Sequence, residues 1–275
     1  MADLPVLQES SRGTYVTWLQ LNMNGLALNY NEFPTNGIFD QKTSDALKNF
    51  QDRFTIDPSG STNAVTWKVL NNNVMAVQKL LKSRGLYDGA IDGWYGSKTE
   101  DAVRRFQSES GLYPTQIVDP RTRQKLFNPH PKDHFETRPT SIDLSSLNPR
   151  VAAMARNFLE LTRKHNLDVR IITAFRSWEE EDKLYAQGRW TPGQIVTNAR
   201  GGDSYHNWGL AFDAAPYEHG KMSMDVAKFK QMGALGEQAG LKWGGTFRAI
   251  VDYPHFQYTF GLNTWDLLNG VRPPA

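Results

Sequence analysis

The sequence predicts a multidomain protein, with all-α three-helix repeats in its N-terminal half followed by an α+β domain with a small antiparallel sheet. Three observations support this. A segment is duplicated, apolar residues recur at helical spacing within each copy, and short β-branched or alternating runs follow after residue 141. With 275 residues, 39% of them hydrophobic, the chain is long enough to form more than one core.

Charge and composition exclude several classes of function. Lys plus Arg number 31 and Asp plus Glu number 29, and this balance gives no electrostatic support for a nucleic-acid partner or an anionic membrane surface. The chain has no cysteine, which excludes disulfide scaffolds, thiolate metal sites and cysteine nucleophiles. No apolar run approaches the roughly 20 residues of a spanning helix, so we expect no membrane insertion.

The amino terminus, residues 1–15, has no basic segment and no apolar core, which is unlike a secretion signal. We therefore expect a protein made in the cytosol. Separately, we expect a monomer.

The duplication joins GIFDQKTSDALKNFQ at residues 37–51 to GWYGSKTEDAVRRFQ at residues 93–107. The flanks match as well, since Gln20 corresponds to Gln78 and Thr66 to Thr122. We expect the repeats at residues 1–72 and 73–128. Identical positions within the two copies are Gly37 and Gly93, Lys42 and Lys98, Thr43 and Thr99, Asp45 and Asp101, Ala46 and Ala102, Phe50 and Phe106, and Gln51 and Gln107.

The second copy shows how each repeat folds. Its predicted helices are separated by turn signals between Tyr87 and Gly93, and a short third helix is expected at residues 122–127. Each copy, at about 55 residues, is near the lower size at which a domain folds alone. The first apolar face comprises Val74, Val77, Leu80 and Leu81, and the second comprises Thr99, Ala102, Val103 and Phe106.

The pattern D-G-x-[FWY]-G-x-x-T-x-x-A-[VL]-x-x-F-Q resembles the small helical peptidoglycan-binding module appended to cell-wall hydrolases. The second copy matches along its whole length. The first is degraded, with Asp40 in place of Gly96 and an Asn-rich insertion at residues 29–36. The resemblance implies that wall glycopeptide binds in the groove beside the D-G turn. We predict exposed, substrate-binding side chains at Asp92, Trp94 and Tyr95.

Residues 129–141 are rich in proline and lack apolar periodicity, so we predict a linker there and a second domain at residues 142–275. The expected elements of that domain are a helix opening at Asn148-Pro149, a buried strand at Val169–Thr173, a polar helix at Trp178–Gln187, an amphipathic helix at Val226–Ala239 and an antiparallel strand at Phe256–Phe260.

Two segments of this domain contain the residues suited to metal chemistry. In the first, SYHNWGLAFD, alternation along a strand buries Phe212 and directs Asp213 to the other face, while His206 lies in the loop before Gly209. In the second, VDYPHF at residues 251–256, the proline favours an extended backbone before it. Asp252 and His255 are therefore expected at a strand entry.

Two histidines and one carboxylate suit a catalytic zinc ion, which takes three protein ligands and leaves a position open. A further carboxylate nearby suits a general base. Isolated histidines and aspartates are mostly structural, but the whole set within one domain favours a metal site.

S-x-H-x-x-G-x-A-x-D followed by D-x-P-H resembles the zinc peptidases of the VanY and L-alanyl-D-glutamate endopeptidase group, which cut bacterial cell-wall peptides. ITAFRS at residues 172–177 is similar to the same family, and the resemblance covers roughly residues 142–262. It implies one Zn²⁺ held by His206, Asp213 and His255, with Asp252 as base. Arg176 would stabilise the oxyanion or hold a substrate carboxylate, and Ser204 would orient substrate or a ligand.

Glu179, Glu180 and Glu181 are explained as the acidic first turn of a helix rather than as catalytic groups.

These features predict a peptidoglycan hydrolase that cleaves the stem peptide at the L-alanyl-D-glutamate bond. The alternatives are a D-alanyl-D-alanine carboxypeptidase and a non-catalytic wall-binding protein with a structural zinc site. A lysozyme would need a carboxylate pair that no sequence feature marks. The domain combination resembles a bacteriophage endolysin, so we expect a protein of the host cytoplasm that reaches the wall through a separately made pore.

Overall fold

The computed structural model describes residues 4–28, 34–128, 134–247 and 251–274. The chain divides into two compact units, Met1–His130 and Pro131–Ala275. Within the described residues, no helix combines the length and the apolar character that a membrane span requires.

The first unit is helical, and its two repeats share one helix. The boundary expected between residues 72 and 73 lies inside the 20-residue helix α3, which ends the first repeat and begins the second. The helices are α1 (Thr14–Gly25), α2 (Gln41–Arg53), α3 (Ala64–Ser83), α4 (Ser97–Glu109) and α5 (Pro120–Phe127).

The residues that the repeats share hold the fold together. Buried Gln78 accepts a hydrogen bond from the Gly93 amide (3.1 Å) and donates to the Trp94 carbonyl (3.0 Å) and the Thr99 hydroxyl (3.3 Å). The shared glutamine therefore fixes the turn before the second helix of the repeat, because it satisfies backbone groups that would otherwise be buried unpaired. The equivalent bonds in the first repeat join Gln20 to Gly37, Ile38 and Thr43.

The substitution that marks the first repeat as degraded strengthens its helix start. The Asp40 carboxylate accepts hydrogen bonds of 2.8 Å from both the amide and the hydroxyl of Thr43. Helix α4 begins after Gly96 with no side-chain cap. Because aspartate is a favoured N-cap residue, Asp40 stabilises α2 where the second repeat has no counterpart.

The expectation that Tyr95 is exposed is wrong. Its side chain is 1% exposed, and its hydroxyl donates to the Gln116 carbonyl at 2.8 Å. The ring lies against α1 at Gly25, where a Cβ atom would come within 2.2 Å of it. The aromatic position of the turn motif is therefore a core position, as Phe39 is in the first repeat at the same exposure.

Asp92 and Trp94 remain candidates for wall binding. Asp92 is exposed, and its carboxylate accepts hydrogen bonds from Gln78 (2.9 Å) and from the Trp94 amide (3.0 Å). Trp94 is half-buried and packs on Trp18, with 4.6 Å between ring centroids.

The second unit is an α+β domain with a small antiparallel sheet, as the sequence predicts. The sheet has the order β1-β2-β5-β4, and β3 extends β2 as a hairpin. Its elements are α6 (Pro149–Lys164), β1 (Val169–Thr173), α7 (Trp178–Ala186), β2 (Ala211–Glu218), β3 (Lys221–Met222), α8 (Val226–Gln238), β4 (Lys242–Trp243), β5 (His255–Gln257) and α9 (Thr264–Leu268).

Two strands differ from expectation. Strand β1 is only partly buried, because it lies at the edge of the sheet. Strand β5 begins and ends earlier than the predicted Phe256–Phe260.

The sheet has one apolar face that packs on helices. Phe212 and Phe256 are partners across β2 and β5, with their rings stacked 5.5 Å apart. Both contact Phe158 of α6, at centroid distances of 6.0 and 4.7 Å. Residues that alternate with these two phenylalanines must lie on the other face of the sheet.

The described part of the expected linker, residues 134–141, packs on the second unit. The Phe135 ring lies 5.3 Å from that of Trp208, and the Ser141 amide donates to the Phe175 carbonyl at 2.8 Å. The ring contact and the backbone hydrogen bonds hold residues 134–141 against the rest of the second unit, where the prolines of this segment predicted a linker. Residues 129–133 of that call lie outside the described residues.

Candidate metal centre

Three side chains predicted as metal ligands converge on the face of the sheet opposite the phenylalanines. Asp213 of β2 and His255 of β5 are direct register partners. His206 lies in the 3-10 turn Tyr205–Trp208 just before β2. Gly209 ends this turn with φ of 67°, in the left-handed region that favours glycine, and a Cβ atom there would lie 3.1 Å from the Ser146 carbonyl oxygen.

The donor atoms form a triangle of suitable size for a metal ion. His206 Nε2 lies 3.1 Å from Asp213 Oδ1 and 3.2 Å from His255 Nδ1, and the third side measures 3.5 Å. Ligand atoms around tetrahedral zinc, bonded at 2.0–2.1 Å, stand about 3.3 Å apart. All three residues are buried, and within the described ranges they are the His, Cys, Asp and Glu group that could hold a metal.

Both histidines direct a lone pair toward the centre. His206 Nδ1 lies 3.0 Å from the Ala174 carbonyl oxygen, and His255 Nε2 lies 2.8 Å from Gln257 Oε1. Because these partners accept hydrogen bonds, each outer nitrogen carries the proton and each inner nitrogen is free to bind a metal. Two lone pairs and a carboxylate oxygen pointing at one place would repel one another, so the donor set fits a cation.

Two of the predicted ligands, Asp213 and His255, shift one another's pKa. Burial alone would raise the pKa of Asp213, but the neighbouring His206 and His255 outweigh it and hold that pKa well below its ordinary value. Burial lowers the pKa of His255, but Asp213, Asp252 and Gln257 together raise it by more. The Asp213 carboxylate is therefore ionised and available as a ligand.

Arg176 lies behind the centre and is engaged on both sides. Its Nη2 donates to Asp213 Oδ2 and its Nη1 to Glu181 Oε2, each at 2.9 Å. Arg176 therefore contacts the predicted metal ligand Asp213. Its role toward substrate stays a prediction.

Glu181 lies in the acidic first turn of α7 with Glu179 and Glu180, as expected, but this position does not account for all of its contacts. Its side chain is 0% exposed, and its Oε1 accepts from the Thr197 hydroxyl at 3.0 Å. Glu179, in contrast, is exposed and pairs with Lys183.

Asp252 precedes β5, and its backbone carbonyl accepts a hydrogen bond from the amide of the predicted ligand His255 at 3.3 Å. The residue is exposed to solvent, and its amide donates to the Gly244 carbonyl at 3.0 Å. Partial desolvation raises the pKa of its carboxyl group, and Asp213 adds to this, against the opposing charge of His255. A carboxylate with a raised pKa beside the metal ligands suits proton transfer.

Ser204 lies two residues before His206, at the start of the turn that bears it. Its amide donates to Asn207 Oδ1 at 3.2 Å. Asn207 in turn donates to the Arg176 carbonyl at 2.9 Å and so connects the turn to the strand end after β1. The role of Ser204 toward substrate stays a prediction.

Sequence reasoning missed Gln257, Glu181 and Asn207. Strand alternation could have found Gln257, because residue 257 must share a face with His255. The other two depend on loop paths that local pattern does not reveal.

Comparison with known families finds two types of domain. The profile of a peptidoglycan binding domain matches twice, at residues 12–70 and 71–126. The profile of the VanY family, described as D-alanyl-D-alanine carboxypeptidase, matches residues 144–258.

Two individual proteins resemble part of this chain. The Bacillus subtilis (strain 168) peptidoglycan L-alanyl-D-glutamate endopeptidase CwlK is 37% identical over 123 residues, which are 41% of this chain and 74% of that protein. The crystal structure of Serratia marcescens L-Ala D-Glu endopeptidase ChiX is 24% identical with a TM-score of 0.35, covering 42% of this chain and 84% of the other. The chain belongs to the VanY family of peptidases, its peptidase domain preceded in sequence by two peptidoglycan-binding repeats.

Proposed function

We propose that this peptidoglycan hydrolase depends on zinc and cleaves the stem peptide at the L-alanyl-D-glutamate bond. The observation that carries the zinc site is the donor triangle of His206, Asp213 and His255, in which both outer histidine nitrogens are held by acceptors. The choice of bond is supported by the similarity to CwlK over most of that protein's length.

The roles of the residues follow from their positions. Zinc bound by the three ligands would polarise the scissile carbonyl and acidify water at the open coordination position. Asp252, at the solvent side, takes a proton from the attacking water and passes it to the departing amine. Arg176 holds Asp213 in place, and its positive charge favours the anionic transition state.

The repeats would keep the peptidase at the wall. Asp92 and Trp94 at the D-G turn of the second repeat are the exposed and half-exposed groups that would contact glycopeptide.

A carboxypeptidase acting on D-alanyl-D-alanine is the second candidate, favoured by the description of the matching family. Mass spectrometry of fragments released from purified sacculi distinguishes the two. New amino-terminal glutamate that disappears with a chelator is the expected result. Released free D-alanine would instead establish the carboxypeptidase.

The same assay tests the non-catalytic alternative. Asp252→Asn should bind sacculi but release peptide about 10²- to 10⁴-fold more slowly, whereas the matched variant Asp225→Asn should cleave like the wild type. Asp225 caps α8, and asparagine caps equally well. Wild-type protein that binds sacculi and releases no peptide would make the metal site structural.

We further propose that the protein is a bacteriophage endolysin acting from the host cytoplasm. The pairing of wall-binding repeats with a peptidase supports this role. Expression in a host cell should cause lysis only when a pore-forming protein is supplied, and lysis without the pore would refute the proposal.

A further inference from the structure

A largely buried series of hydrogen-bonded polar and charged side chains lies behind the metal centre. It runs from the Thr197 hydroxyl through the Glu181 carboxylate and the Arg176 guanidinium to Asp213, in bonds of 3.0, 2.9 and 2.9 Å. Glu181 is 0% exposed, and burying an ionised carboxylate is expensive unless it is paired and hydrogen-bonded. Both of its oxygens are paired here, so the site is built to hold this residue.

In this hydrogen-bonded series the two carboxylate oxygens of Asp213 have different partners. Oδ2 receives the Arg176 guanidinium, while Oδ1 lies 3.1 Å from His206 Nε2 and 3.5 Å from His255 Nδ1. A guanidinium anchored by a second carboxylate cannot rotate away from Oδ2. The remaining oxygen, Oδ1, is therefore the one presented to the centre.

We propose that Glu181 is a positioning residue for the metal centre, which locks Arg176 so that Asp213 offers a single oriented oxygen to the metal. Outer partners of this kind fix the direction and the basicity of a ligand. This inference rests on the proposed metal site but is independent of which peptide bond is cut.

Thr197 takes part in the same series of hydrogen bonds. Its hydroxyl donates to Glu181, and its carbonyl accepts from Arg189 at 3.0 Å. The loop between α7 and the His206 turn is thus fastened to the carboxylate that anchors Arg176. Loss of the hydroxyl should loosen Glu181 without removing any charge.

Helix α7 offers a matched control. Glu179 occupies the same acidic first turn, but its carboxylate is exposed and pairs with Lys183 at 2.8 Å. If Glu181 acted only on the helix dipole, Glu179→Gln and Glu181→Gln would have similar effects.

The test measures zinc affinity of the full-length protein by competition with a chromophoric chelator, alongside thermal unfolding of the metal-free protein. Glu181→Gln should bind zinc about 10- to 100-fold more weakly. Thr197→Val, which keeps all charges, should show a smaller loss in the same direction, and Glu179→Gln should match the wild type. Unchanged affinity in both Glu181→Gln and Thr197→Val would overturn the proposal.

A double-mutant cycle shows whether Glu181 acts through Arg176. In an Arg176→Met background, Glu181→Gln should cause no further loss of zinc affinity, and fully additive losses would refute the positioning role. Activity gives an independent readout, because zinc-saturated Glu181→Gln should show a reduced kcat with an unchanged KM. Wild-type protein that fails to bind zinc would refute the proposed function itself, which separates the two failures.

Discussion

Asp213 and His255 are direct partners across β2 and β5, and the adjacent pair in the same register is Phe212 with Phe256. The two pairs leave the sheet on opposite faces, one toward the metal centre and one into the core. A slip of one residue would exchange them and expose both phenylalanines. The burial of the phenylalanine pair therefore also secures the positions of two predicted metal ligands.

Loss of a ligand should abolish metal binding without unfolding the domain. His206→Ala removes the donor that is 3.1 Å from Asp213 and 3.2 Å from His255, so we expect zinc content after gel filtration to fall from about one per chain to near zero. Peptide release from sacculi should fall with it. His165→Ala, at an exposed histidine at the end of α6, is the control and should retain both. Full zinc content in His206→Ala would refute the ligand assignment.

Removal of the proposed base should separate binding from chemistry. Asp252→Asn keeps the three ligands and the shape of the side chain, so zinc content and thermal stability should match the wild type. The rate of peptide release should fall by about 10²- to 10⁴-fold, the usual contribution of general acid–base catalysis. A zinc-loaded variant that works near the wild-type rate would show that another group moves the proton.

The sequence was most informative where local pattern determines position. Strand alternation predicted that Asp213 lies on the face opposite Phe212, and Gly209 marked the close turn after His206, whereas the full set of candidate ligands came from the family resemblance. The strand alternation extends to Gln257. The ion pair of Glu181 was not predicted because its partner Arg176 is five residues away, across a helix start, and only the folded loop shows that its carboxylate is buried.

The repeats illustrate the same limit. Matching glutamines and threonines revealed the duplication, but nothing local indicated that α3 serves both copies. The burial of Tyr95 depends on its contact with Gly25, which lies 70 residues earlier in the sequence and was not visible in the turn motif.

Gln257 should tune metal affinity through His255. Gln257→Leu removes the acceptor that lies 2.8 Å from His255 Nε2 and leaves that nitrogen buried without its partner, so zinc affinity should fall about 10- to 100-fold. Gln257→Glu restores an acceptor of similar length and should retain affinity near that of the wild type. Equal affinity in the leucine and wild-type proteins would mean that Gln257 does not orient the ligand.

The shared glutamines should determine the stability of the repeats. Gln78→Leu leaves the amide of Gly93 buried without a partner, at a cost of about 1–3 kcal/mol for the unsatisfied group, and it also removes the hydrogen bond from the side chain to the Trp94 carbonyl. Urea unfolding followed by tryptophan fluorescence should show the corresponding loss. Zinc affinity should be unchanged. Gln8→Leu, at an exposed glutamine, is the control, and a Gln78→Leu protein as stable as that control would refute the structural role.

The buried position of Tyr95 predicts how it should differ from a wall-binding residue. Tyr95→Phe keeps the ring beside Gly25 and removes only the hydroxyl that donates to Gln116 at 2.8 Å, so stability should fall by about 0.5–1.5 kcal/mol. Binding to sacculi should be unchanged. It is measured by co-sedimentation of variants that also carry Asp252→Asn, which prevents digestion of the sacculi. Asp92→Ala in the same background should weaken binding instead, because its carboxylate is exposed and positions Trp94. If Tyr95→Phe weakened sedimentation while its urea midpoint stayed at the wild-type value, the hydroxyl would have to contact the wall directly, and the core assignment of this residue would fail.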